Sequence, residues 1–107
     1  MNDVRTKLLL SVQRALLGAV PGSLRAVTCD WEGTEIKLRF VFDGEITEEN
    51  YEDGHTVGTE VVADFPSPWT VNENIVRLDY PDGVRTGALA LWAYLRKEDS
   101  AATGNSN

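Results

Sequence analysis

Histidine and cysteine each occur once in the 107-residue chain, as His55 and Cys29, and these two scarcities remove the most chemistry. A single histidine cannot assemble the paired or clustered ligands of a zinc site within one chain. A single cysteine excludes an internal disulfide and fits a reducing compartment. Its position between Val27 and Trp31 in an alternating segment marks Cys29 as a small buried side chain. Basic residues are also scarce: ten Lys plus Arg stand against 17 Asp plus Glu, a formal net charge of −7. Duplex binding depends on neutralising phosphates, so this balance argues against a nucleic-acid partner and suits a basic protein one. No run approaches the roughly 18 apolar residues of a membrane span. The apolar N-terminal region carries Gln13 and Arg14 and ends in a helix stop, so neither a signal peptide nor a membrane contact is expected, and the expected compartment is the cytoplasm.

A chain of this length supports one modest core. Residues 1–97 read as a single α+β domain, and 98–107, EDSAATGNSN, as a disordered polar tail. The clearest structural statement is EIKLRFVFD at 35–43. Ile36, Leu38, Phe40 and Phe42 alternate with Glu35, Lys37, Arg39, Val41 and Asp43, the two-residue period of a half-buried strand. The preceding segment, Leu24 to Trp31, sets Val27, Cys29 and Trp31 against Ala26, Thr28 and Asp30. A turn at Glu32-Gly33 would pair Trp31 with Thr34, Cys29 with Ile36 and Val27 with Leu38, which joins two apolar faces in one hairpin.

Two segments carry helical spacing. From Asp3 to Leu17, the residues Val4, Leu8, Val12, Ala15 and Leu16 form a stripe widened by Leu9, Leu10 and Leu17. Asn2 or Asp3 can cap its start, and Gly18 and Pro21 stop it. Arg5, Lys7 and Arg14 form its solvated face. A second helix is expected over 47–65, with Glu48 and Glu49 in the first turn where the dipole favours acids, and with Pro66 and Pro68 beyond its end. Gly54 and Gly58 leave two readings open: close approach of the helix to a sheet, or a break between Asp53 and Thr56.

Residues 69–80 form the expected third strand, with Val76, Leu78 and Tyr80 on one face and Ile75, Arg77 and Asp79 on the other. Pro81-Asp82-Gly83 reads as a turn into a fourth strand over 88–96, with Leu89, Leu91, Ala93 and Leu95 opposed to Trp92 and Tyr94. The order helix-hairpin-helix-hairpin (αββαββ) predicts a two-layer sandwich: a four-stranded mixed or antiparallel sheet with both helices on one face. A crossover through the second helix makes the second and third strands parallel if they are neighbours.

No residue pattern completes a catalytic or metal-binding constellation. The segment DGEITE at 43–48 looks like the middle of an EF-hand loop, but aligning Gly44 with the invariant glycine puts Arg39, Val41 and Asn50 at ligand positions. The segment GHTVG at 54–58 lacks the lysine and context of a phosphate loop. Glu48 and Glu52 share a helix face, yet acid-base work needs a pocket that shifts one pKa. No enzyme, metal or cofactor is therefore expected.

Two surfaces remain as candidates for a protein partner. One is the acidic helix start, Glu45, Glu48, Glu49, Glu52 and Asp53. The other is the outer sheet face, where Lys37, Arg39 and Arg77 would lie with Val41, Trp92 and Tyr94, a composition of aromatics and arginine typical of interface centres. Self-cover, with cation stems lying over the rings, is the competing reading of that face. Trp31 and Trp69, near strand ends, read as core plugs.

LLLSVQRALLGAVP at 8–21, IKLRFVFDGEI at 36–46, TEVVADFP at 59–66, RLDYP at 77–81 and LWAYLRKE at 91–98 together resemble a family of small bacterial proteins. Some members of that family look like immunity proteins of contact-dependent inhibition or related toxin systems. The resemblance implies a non-catalytic inhibitor that docks on a cognate toxin, and an acidic surface suits a basic nuclease toxin. The alternative is a self-associating domain, a homodimer or small-ligand binder, that uses the outer sheet face.

Overall fold

The computed structural model describes residues 3–98; Asn2 and the expected tail beyond Glu98 lie outside the described residues. The elements follow in the order α1 (Val4–Ala15), β1 (Leu24–Glu32), β2 (Glu35–Phe42), α2 (Glu48–Ala63), β3 (Thr70–Arg77) and β4 (Leu91–Leu95). Asp3 caps α1, its carboxylate accepting from the Arg5 N–H and the Thr6 hydroxyl. Gly18, at φ +77°, supplies the left-handed residue that ends the N-terminal helical region. α2 runs unbroken through both of its glycines.

The sheet is mixed, in the order β3-β2-β1-β4. β1 pairs antiparallel with both β2 and β4, and β2 pairs parallel with β3. The β1–β2 register differs from the expected one by two residues: Trp31 faces Ile36, Cys29 faces Leu38 and Val27 faces Phe40. Gly33-Thr34 makes the turn, with Gly33 at φ +61°. An even slip keeps every side chain on its face, so the apolar alternation cannot distinguish the two registers.

Leu8, Val12, Val27, Cys29, Ile36, Leu38, Phe40, Phe42, Val57 and Val61 form one buried cluster between the helices and the inner sheet face. α2 packs chiefly on β3, and α1 on β4, β1 and α2. Trp31 and Trp69 pack against this cluster, and the Trp69 ring lies 4.9 Å from that of Phe65.

Three expectations about the second half of the sheet are corrected. β3 and β4 are opposite edges, so they form no hairpin. The connection at 78–90 instead crosses the outer face, where Leu78 O accepts from Arg25 and the Leu89 N–H donates to Thr28 Oγ1. This cover explains why Ala26, Thr28 and Val41 are at most 2% exposed although they face away from the helices.

Second, Ile75, expected on the outer face, pairs with Phe40 and packs on the core, while Val76 pairs with outward-facing Val41. Arg77 pairs with Phe42 and therefore has the opposite facing to Lys37 and Arg39. Third, the β1–β4 register shifts between Val27 and Thr28, a bulge that puts Tyr94 opposite inward-facing Val27 and against the core. Trp92 stays outside, opposite Thr28.

Candidate functional site

The acidic surface is built by the start of α2. Thr47 and Asn50 form a reciprocal cap: Thr47 Oγ1 accepts from the Asn50 N–H at 3.1 Å, and Asn50 Oδ1 accepts from the Thr47 N–H at 3.0 Å. Glu48 and Glu49 occupy the first turn, where their negative charge complements the positive end of the helix dipole. Glu48, Tyr51, Glu52, His55 and Thr56 recur at helical spacing and line an open groove of about 540 Å³. Tyr51 is 51% exposed there, a large aromatic among carboxylates. Asp53 lies away from this groove, beside Leu16 and Pro21. Glu45 precedes the helix and lies in the field of Arg77. The five expected acids thus gather at one end of α2 but do not share one face.

Their lack of ion pairs sets them apart from the acids held by arginine or lysine. Glu45, Glu48, Glu49, Glu52 and Asp53 form no ion pair among the described residues. Elsewhere Glu32 binds Lys37, Asp64 binds Arg14, Asp79 binds Arg77, and Asp43 and Glu98 both bind Arg96. The cause lies in the sequence: between Arg39 and Arg77 there is no Lys or Arg, while nine acids fall in that interval. That gap is legible without a structure, and it leaves the acids at the start of α2 without a cation nearby in the chain.

The outer sheet face is internally occupied. Lys37 pairs with Glu32 at 2.8 Å, which lowers the Glu32 pKa and raises that of Lys37. The Arg39 guanidinium lies against Gly87, whose φ of +76° and missing Cβ make room for it. Arg39 Nη1 is buried without a hydrogen-bond partner among the described residues. Trp92 is covered by Arg85, with Cζ 5.3 Å from the ring centroid. Of the residues expected on this face, Lys37, Arg39 and Trp92 are there, whereas Arg77 and Tyr94 are not.

The arginine that organises the crossing segment, Arg25, was not foreseen. It is 1% exposed, donates from Nε and Nη2 to Glu98 at 2.7 and 3.0 Å and from Nη1 to Leu78 O at 2.6 Å, and lies over the Tyr80 ring. Its partners are 53 or more positions away, so no local pattern marks it.

Cys29 is fully buried in the core, and burial pushes its thiol up to about 12, far from a nucleophile. His55 is exposed on α2 with Nδ1 3.3 Å from Glu73 Oε1. Among the described residues no group of three or more His, Cys, Asp or Glu could hold a metal ion. No helix among them is long and apolar enough to cross a membrane.

The fold is that of a small α+β protein whose second helix opens on an acidic surface. The chain belongs to the MafI2 immunity protein family, which matches it over residues 5–98. An immunity protein is generally non-catalytic, and its partner is a cognate toxin. No curated protein matches the chain.

Proposed function

We propose that this protein neutralises its cognate toxin in the cytoplasm by docking the start of α2, without catalysis, on a basic surface of the toxin. The observation that carries this reading is the set of carboxylates at Glu45, Glu48, Glu49, Glu52 and Asp53 left without a cationic partner in a chain of the MafI2 immunity family. Glu32, Asp43, Asp64, Asp79 and Glu98 are held by arginine or lysine, whereas these five carboxylates gather unpaired at one end of α2 and are open to a partner. A nuclease is the toxin class that best fits, since a protein that binds phosphates presents the complementary charge.

Co-expression tests the reading. Cells expressing the cognate toxin survive when the protein is present, and they lose protection when Glu48, Glu49 and Glu52 are all changed to Lys in a variant that remains folded. Full protection by that variant would remove the acidic docking surface while leaving the immunity role intact. Dimerisation through the sheet back is disfavoured, because segment 78–90 already covers Ala26, Thr28 and Val41.

A further inference from the structure

We propose that the free edge of β3 is the docking strand for the toxin, which adds an extended cationic segment to the sheet there; this rests on the toxin-binding reading above. β3 is an outermost strand of the sheet. The Thr70 and Leu78 N–H groups both donate into the β2 side, to Thr34 O and Phe42 O. Backbone direction alternates along a strand, so Val71, Glu73, Ile75 and Arg77 point their N–H and C=O groups outward. Among the described residues nothing pairs with them.

Natural sheets blunt such edges with proline, lysine, bulges or brevity. β4, the opposite edge, is five residues long and bulged against β1. β3 carries one inward-facing charge, Glu73, which lies against α2, but it runs for eight residues, TVNENIVR, in unbroken register with β2 and contains neither proline nor lysine. An unpaired edge of this kind is a template for strand addition, in which backbone bonds supply affinity and alternate side chains supply specificity.

The chemistry of the occupant follows from what lies beside the edge. His55 reaches Glu73, so the α2 face carrying Glu48, Tyr51, Glu52 and His55 is the one that adjoins β3. A strand laid along β3 therefore has its helix-side residues directed at Glu73 and these carboxylates, with Tyr51 as an apolar anchor. Lysine or arginine at alternate positions satisfies that wall.

Residue-resolved amide exchange on the protein bound to its cognate toxin tests this. The expected result is that the Val71, Glu73 and Ile75 amides slow by about tenfold or more on binding, beyond any change at the β4 edge. Glu73→Pro removes an outward N–H without breaking a bond to β2, and the variant is expected to stay folded and bind at least about tenfold more weakly. Asn72→Ala, on the outer face, is expected to bind within about twofold of wild type. Should Glu73→Pro not fold, the exchange result alone decides. Toxin binding with unprotected β3 amides would overturn the proposal and leave the toxin-binding reading standing. Absence of toxin binding would overturn both, and protection in the toxin-free protein that grows with its concentration would assign the edge to a second copy.

Discussion

Arg25 and Glu98 lock the first strand to the end of the described chain: Nε and Nη2 of the buried guanidinium donate to the two oxygens of one carboxylate at 2.7 and 3.0 Å. Arg25 also donates to Leu78 O, and Arg96 joins Glu98 to Asp43. The crossing segment, the last strand and the open end of the β1–β2 hairpin therefore share one polar network. Leaving one partner of a buried pair alone costs far more than the net worth of the pair.

Glu98→Ala is expected to lower stability by about 3 kcal/mol, because it strands the Arg25 charge beneath the crossing segment. Urea unfolding measures it. Hydrogen bonding from Arg25 holds the Glu98 pKa below its ordinary value of 4.5. The stabilisation is therefore present above that value and lost as pH falls through the lower folded-state value. Wild type should thus lose stability at acid pH more steeply than Glu98→Ala does, and parallel pH profiles would contradict the assignment.

Gly54 and Gly58 are expected to respond unequally to alanine. A Cβ at Gly54 would lie 2.6 Å from Ile75 Cδ1, which is wedged between α2 and buried Phe40, so the overpacking cost of about 1–3 kcal/mol outweighs the gain of about 1 kcal/mol in helix propensity. At Gly58 the added atom meets the Glu73 side chain from Cγ outward, which a turn about its first side-chain torsion at the sheet edge carries clear as a whole. Gly54→Ala should therefore be the more destabilised in denaturant titrations, and the reverse order would show that α2 does not sit on β3 as described.

Cys29 should be inert in the native state. With its thiol fully buried and its pKa pushed up to about 12, thiolate-directed reagents at pH 8 should label it only as fast as the protein opens, and promptly in denaturant. Rapid labelling of native protein would contradict its place in the core.

The sequence discloses parity more readily than position. In β1 and β2 only one face is continuously apolar, so facing was legible, but the turn at Gly33-Thr34 rather than Glu32-Gly33 was not, because an even shift preserves it. β3 carries aliphatic residues on both faces, Val71 and Ile75 inside and Val76 outside, and pattern alone chose the wrong side. Pro81-Asp82-Gly83 has the composition of a hairpin turn, yet it lies in a segment that spans the sheet, a distinction set by strand order. Tyr94 was displaced by a bulge that leaves no local signature. The acids at the start of α2 were legible because helix starts favour them and no nearby base hides them.

The most direct measurement of the central claim is the association rate of this protein with its cognate toxin, as a function of salt. A docking surface made of Glu48, Glu49 and Glu52 predicts a rate that falls steeply with ionic strength, and a Glu-to-Lys triple variant that is at least about tenfold slower and nearly salt-independent. Equal rates and equal salt dependence in the two proteins would contradict it.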